Sequence, residues 1–112
     1  MKLANISTIK DRATVKVPGD YGKTTKENLD IEWKKYSVTE TKELLESDAS
    51  MDDVFRDAII NISNLTDESN QKIEYTIDVL EQLLDVDYLR KAINDSFMLV
   101  QFGREALKQK NS

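Results

Sequence analysis

Three short patterns in this chain combine residue types that could bind a phosphate or a metal ion. Gly22-Lys23-Thr24 matches the end of a phosphate-binding loop, but Val17 stands where that loop needs its first glycine. Residues 48–52 and 67–71 have the acidic spacing with which calcium loops begin, yet neither has the required glycine at the sixth position. We therefore interpret the three patterns as a flexible loop, a helix cap and a turn. We predict no metal and no cofactor.

The residue types that most often carry out catalysis are missing. The chain has no histidine and no cysteine, which removes the commonest general base, the usual zinc ligands and the thiolate nucleophile. Neighbouring carboxylates such as Asp52 and Asp53 could transfer protons in principle. Acids in such positions are, however, typical of the first turn of a helix. We predict that the protein is not an enzyme.

Charge is distributed unevenly along the chain. The net charge is −5, but residues 47–88 alone hold two basic and eleven acidic side chains. Nucleic-acid binding needs a basic face, so this acidic middle argues against a nucleic-acid partner. The first residues lack the apolar segment of a secretion signal, and no apolar run is long enough to span a membrane. We expect a cytosolic protein without a membrane partner.

The amino-terminal part predicts two strands. Ala13, Val15 and Val17 alternate with polar residues, as in a half-buried strand, and residues 29–34 alternate in the same way. We expect these strands to pair antiparallel across a polar loop that runs from residue 18 to residue 28. Residues 1–12 show no period and are expected to be loosely held.

Helix caps mark the starts of three helices. Ser37 and Glu40 have the spacing of a capping box, which predicts a short helix that buries Val38 and either Leu44 or Leu45. Ser50 is expected to cap a second helix. Thr76, after a polar turn at residues 66–72, is expected to cap a third that buries three residues: Ile77, Leu80 and Leu84. Residues 58–65 fit a helix continuing through Ile62 or a strand, and the pattern does not choose.

The stretch from residue 86 to residue 110 predicts one long helix with an unusually wide apolar arc. One row contains Leu89, Ile93, Phe97, Val100 and Leu107, and a second contains Tyr88, Leu99, Phe102 and Ala106. Between the rows runs a strip of small residues: Ala92, Ser96 and Gly103. The arc covers roughly 220°, twice what one core requires. A larger core, a second copy of the chain or another protein must cover the excess.

Together these elements predict an α+β fold in one domain spanning residues 1–112. A small amino-terminal antiparallel sheet packs against three or four helices, of which the last is long. Residues 108–112 are expected to form a loose end. If a partner binds the last helix, we expect it to contact the second row and the small strip: Leu99, Phe102, Ala106, Ala92, Ser96 and Gly103.

The order of these elements resembles a known family. A strand ends in proline at Val15-Lys16-Val17-Pro18, and a second strand runs into a capping box over residues 29–40. An acidic middle leads to a helix at residues 76–84, and the final helix closes with Lys110-Asn111. In these respects the chain resembles the tail assembly chaperones of long-tailed bacteriophages and prophages. The resemblance covers most of residues 13–111 and rests on element order and dispersed apolar positions.

The resemblance implies a non-enzymatic protein of the host bacterial cytoplasm during virion morphogenesis. Such a protein would bind the apolar tape measure protein and help to recruit tail tube protein, and it could form a homo-oligomer. An alternative from a different class is a small regulatory binding module of a mobile element, such as an antitoxin or an anti-repressor. The gene neighbourhood would separate the two: a tape measure gene downstream, or a toxin or repressor gene.

Overall fold

The computed structural model describes residues 7–103. Within this range the chain forms three strands and four helices in the following order: β1 (Thr8–Pro18), β2 (Thr24–Lys34), α1 (Val38–Glu46), α2 (Met51–Ala58), β3 (Ile59–Ile62), α3 (Ile77–Leu84) and α4 (Asp87–Phe102). The strands form an antiparallel sheet in the order β1-β2-β3. The predicted α+β class, with an amino-terminal sheet and a long final helix, is confirmed.

The hairpin of β1 and β2 is longer than the sequence predicted. β1 begins at Thr8, so the expectation of a loose segment is wrong for residues 8–12, while residues 1–6 lie outside the described range. β2 begins at Thr24, so the connecting loop is shorter than predicted and contains a single helical turn at Asp20–Gly22. Residues 18–28 are all exposed. The hairpin tip therefore projects beyond the core.

The two faces of the hairpin differ in polarity. The odd-numbered residues of β1 face the core, opposite the odd-numbered residues of β2, with Ala13 paired to Leu29 and Asp11 to Ile31. The even-numbered residues of β1, which include Lys10, are exposed. All four helices follow β2 in the chain, and the helix that packs most extensively on the sheet is α4, which crosses β1.

The caps predicted from the sequence are confirmed. Ser37 accepts a hydrogen bond from the N–H of Glu40, whose carboxylate accepts from the Ser37 N–H. Ser50 and Thr76 accept from the backbone three residues further on in the same way. The reason is general: the first N–H groups of a helix have no partner inside it, and a short oxygen-bearing side chain supplies one.

Two predicted core residues are exposed instead. Val38 is 76% exposed, and Leu44 is the only apolar residue of α1 that packs against the core, because α1 leaves the body of the molecule at its capping box. Ile77 is 46% exposed, since α3 turns Leu80 and Leu84 inward and places its first residue at the rim.

Residues 58–65, for which the sequence allowed either a helix or a strand, change from helix to strand after their first residue. α2 ends at Ala58, and β3 begins at Ile59 and pairs with β2 across an irregularity between Glu32 and Trp33. The turn that follows is built on Asp67, whose carboxylate accepts from the backbone N–H of Ser69 and Gln71.

The core lies between the sheet and the helices. Its largest fully buried side chains are Trp33, Phe55, Phe97, Ile31, Ile62, Leu80, Ile93 and Val15. At its edge, Arg90 of α4 donates two hydrogen bonds to Asp52 of α2, at 2.6 and 3.1 Å. The hydrogen bond from this guanidinium lowers the pKa of Asp52. The pair therefore holds the start of α2 against α4.

Candidate functional site

The final helix is shorter than predicted. α4 ends at Phe102, because the next residue, Gly103, has a φ of 85°. This is a backbone conformation that residues other than glycine rarely adopt. Gly103 thus ends the helix, and this conformation explains why a glycine stands there. Ala106 and Leu107, each in a predicted row, lie outside the described residues.

The small strip of α4 belongs to the core. Ala92 and Ser96 are 5% and 3% exposed and pack against the sheet, so their assignment to a partner surface is wrong. Small residues are required there because α4 crosses β1 closely. The buried arc runs from Ala92 to Gln101, roughly 180° at 100° per residue. This accounts for most of the wide arc.

A chain of hydrogen bonds joins α4 to both strands of the hairpin. The indole N–H of Trp33 donates to the Ser96 hydroxyl at 2.8 Å, and that hydroxyl donates to a carboxylate oxygen of Asp11 at 2.6 Å. Asp11 occupies an inward position of β1, between Ile9 and Ala13. No sequence pattern predicts this chain of hydrogen bonds, because its members lie in three separate elements.

Gln101 fastens the carboxyl-terminal end of α4 to the end of β2. Its amide oxygen accepts from the backbone N–H of Tyr36 at 2.9 Å, and its amide nitrogen donates to the carbonyl of Lys34 at 2.7 Å. The Lys35 ammonium donates to the Gln101 carbonyl. These bonds bring the end of α4 beside the start of α1. We call this group the Gln101 clamp.

Phe102 lies directly beyond the clamp and is 39% exposed. Its ring contacts Phe97 at a centroid distance of 6.3 Å, and Phe97 in turn contacts Trp33, Tyr36 and Phe55. Phe102 is therefore the exposed edge of a buried aromatic cluster. Of the five predicted contact residues within the described range, it is the most exposed.

α1, which starts two residues after Tyr36, also exposes apolar side chains. Val38 and Leu45 are 76% and 74% exposed. They are seven residues apart, so they lie on the same side of the helix two turns from each other. We group these two residues with Phe102, which adjoins the Gln101 clamp on α4, under the name rim surface. The α1 part of this group was not predicted, because the capping box indicated that Val38 would be buried.

Leu99 lies in a different place, in a groove between α4 and β1. The groove has a volume of about 480 Å³, and its apolar lining includes Tyr88, Ala92 and Leu99. Lys91 and Asp95, on the same side of α4, form an ion pair at 2.9 Å. Of the predicted contact residues, Phe102 thus lies at the rim and Leu99 in this groove.

Two tyrosines have raised pKa values without forming a reactive site. Burial and the nearby Asp57 carboxylate, which accepts from its hydroxyl at 2.7 Å, raise the pKa of Tyr36. Burial alone raises the pKa of Tyr75 to about 12, and its buried hydroxyl has no hydrogen-bond partner within the described range. The raised pKa values keep both hydroxyls protonated at neutral pH.

The acidic patterns have structural explanations. Asp52 binds Arg90, and Asp67 holds a turn through backbone N–H groups. Between residues 7 and 103 there is no group of three or more side chains placed to hold a metal ion. Over the same range, the helices are too short or too polar to cross a bilayer.

Comparisons of the chain with family models, with curated proteins and with solved structures find no match.

Proposed function

We propose that this protein is a non-enzymatic binding protein, specifically a tail assembly chaperone of a long-tailed bacteriophage or prophage. Its client would be an apolar helical segment of the tape measure protein, and it would help to recruit tail tube protein. Two things support the proposal: the order of elements, which resembles that family, and the apolar rim surface. The observation that carries it is the exposure of Phe102 at the edge of a buried cluster.

A rigid anchor suits this role. The ring of Phe102 packs against the ring of Phe97, and the Gln101 clamp holds the end of α4, where Phe102 lies. Little conformational entropy is then lost when a client covers the ring, and preorganised aromatic residues are the usual anchors of protein interfaces.

The rim surface also presents two apolar side chains on one side of α1. Val38 and Leu45 lie two turns apart there, and a helical client can contact both with apolar residues spaced seven apart. The acidic residues of the middle segment keep the protein soluble while this surface is exposed. Client binding driven by apolar burial should depend little on salt, whereas docking through the acidic segment should weaken as salt rises.

The test is co-expression with the tape measure protein encoded in the same gene cluster. We expect the client to be soluble only when this chain is present, and Phe102→Asp and Leu45→Asp to abolish co-purification. Tyr21→Asp is the matched control, because Tyr21 is 99% exposed at the hairpin tip, away from the rim. The proposal fails if the client is equally soluble alone, or if the rim variants co-purify as well as the control.

A further inference from the structure

β1 is an open sheet edge of unusual regularity. It pairs with β2 over its full length of 11 residues without a bulge, and within residues 7–103 nothing pairs with its other side. The opposite edge is different: β3 has four residues and an irregular register. Proteins normally shorten or distort an edge to prevent unwanted pairing. β3 is protected in this way, whereas β1 keeps a long and regular edge whose lysines oppose pairing with a second copy of the same strand.

The backbone groups at this edge can be assigned from the ladder. The N–H of Lys35 donates to the carbonyl of Ser7, so this pair is hydrogen-bonded. Because hydrogen-bonded positions alternate in an antiparallel ladder, the odd-numbered residues of β1 bond to β2. The even-numbered residues therefore direct their N–H and C=O groups away from the sheet: Lys10, Arg12, Thr14 and Lys16.

From these features we propose that β1 binds an extended segment of a partner protein by strand addition. The partner segment alternates acidic and apolar residues. Its acidic residues lie beside Lys10 and Lys16 on the exposed face. Its apolar residues enter the groove beside Leu99 and Tyr88. The inference is independent of the tail-chaperone proposal, which concerns the rim surface.

Charge complementarity decides the occupant. β1 carries three cations and one carboxylate. Asp11 already accepts from Ser96 and Arg12 already donates to Asp30 of β2 at 2.7 Å, so Lys10 and Lys16 are the cations of β1 without a charged partner among residues 7–103. A second β1 strand is a poor partner: an antiparallel pair centred on Ala13 sets Lys10 against Lys16, and one centred on Thr14 sets Arg12 against Lys16. Like charges directly opposite each other destabilise a sheet. An acidic segment meets no such repulsion.

The groove between α4 and β1 would receive the apolar side chains of the added strand. Side chains on the inner face of an added strand would meet α4 rather than solvent, since Leu99 and Tyr88 line that side. Both residues are half-buried, so apolar area remains for a partner to cover. Main-chain hydrogen bonds would provide affinity, and the alternating side chains would provide specificity.

The experiment uses the full chain and a synthetic peptide of about eight residues, roughly one strand in length, that alternates Glu and Val. Backbone amide exchange is measured by NMR with and without the peptide. We expect slower exchange at the amides of Lys10, Arg12, Thr14 and Lys16, and no change at the alternate amides, which β2 already protects. Protection without this alternation would overturn strand addition.

Charge is tested with variants and a second peptide. Lys16→Glu should weaken peptide binding about tenfold, and it should keep the fold, because Lys16 faces Lys26 across the hairpin. Lys26→Glu is the matched control, being on β2 away from the edge, and should have a smaller effect. A peptide alternating Lys and Val should not bind. The proposal is wrong if both peptides bind equally, or if the protein without peptide dimerises and protects the same four amides.

Discussion

At the scale of single residues, Phe97 and Phe102 illustrate how neighbouring aromatic side chains differ in role. Phe97 is 2% exposed and contacts four other rings, whereas Phe102 contacts Phe97 from the surface. The apolar rows of the final helix placed Phe97 in the core, and the structure confirms it. The rows did not predict whether the second row, which includes Phe102, faces the core or the solvent. A periodic apolar pattern does not show which part of a wide apolar arc is buried.

We expect Phe97→Ala to lower the free energy of unfolding by about 3–5 kcal/mol, because truncation leaves a cavity that the surrounding rings cannot fill. Phe102→Asp should cost much less, since its side chain already contacts water. Urea melts of both variants measure the difference. Equal large losses would mean that Phe102 is a core residue and would remove the basis of the rim surface.

Ser96→Ala should cost about 1–3 kcal/mol, because the indole N–H of Trp33 and the carboxylate of Asp11 both lose a hydrogen-bond partner. Ser63→Ala is the control: it removes a hydroxyl from an exposed residue and should change stability by less than about 0.5 kcal/mol. Denaturant titration compares the two. Similar losses in both variants would show that the hydrogen-bond chain adds nothing to stability.

Tyr75 gives a prediction for alkaline pH. Its pKa is raised from 10.0 to about 12 by burial, so the unfolded chain ionises first as the pH rises. The stability linked to Tyr75 is present below pH 10 and is lost as the pH approaches 12. Tyr75→Phe should therefore unfold less readily than the parent in this window and should be no less stable at pH 7. A steeper alkaline loss in the variant would contradict this.

The residues that sequence reasoning missed have a common property. Asp11 and Gln101 are polar residues at positions that face the core, and their hydrogen-bond partners are distant in sequence. A pattern of apolar residues cannot identify them. Asp11 also interrupts the alternation of β1, which is why the strand was predicted to begin at Ala13 rather than Thr8.

At the scale of elements, the features that depend only on neighbouring residues were predicted correctly. The caps at Ser37, Ser50 and Thr76 each act within a few residues, so the sequence contains all the information that they need. The hairpin tip was predicted as a loop, because a strand that projects beyond the core has polar residues on both faces and no alternation. The placement of α1 depends on what α1 packs against, and its cap says nothing about that.

The two serine caps should differ in their effect on stability. Ser50→Ala should cost about 1 kcal/mol globally, since α2 buries Val54, Phe55 and Ala58. Ser37→Ala should mainly accelerate amide exchange within α1, which contains no fully buried residue, and should shift the global transition less. Thermal melts combined with residue-resolved exchange provide the measurement. Equal global losses would show that α1 unfolds only with the rest of the chain.

At the scale of the whole molecule, ion pairs hold separate helices together. Arg90 joins α4 to Asp52 on α2, and Arg56 of α2 pairs with Glu81 of α3. The first pair connects the acidic middle of the chain to its last helix, and the second joins two helices within that middle. The fold class and the presence of most elements followed from sequence patterns, whereas these long-range pairs did not, because any exposed carboxylate could have been the partner.

The Arg90 pair should make the protein sensitive to acid. The pKa of Asp52 lies below 3.8 in the folded protein, so the pair stabilises the fold above that pH and the benefit is lost as the pH falls through the lower folded value. Arg90→Met should lower stability at pH 7 and reduce its dependence on pH below about 4. Melts across this range, with Lys91→Met as the control, test it. Parallel pH profiles for all three proteins would contradict the prediction.

The chain contains a single tryptophan, and its surroundings make it a built-in optical probe. Trp33 has no exposed surface, donates to Ser96 on α4 and contacts Phe55 on α2. Its fluorescence should therefore be emitted at short wavelength while sheet and helices remain docked, and should shift to the red when they separate. Neither the rim surface nor the β1 edge includes the indole. The fluorescence of Trp33 should thus change when the fold is lost and stay the same when a client binds. Unfolding and client binding can therefore be followed separately in one sample.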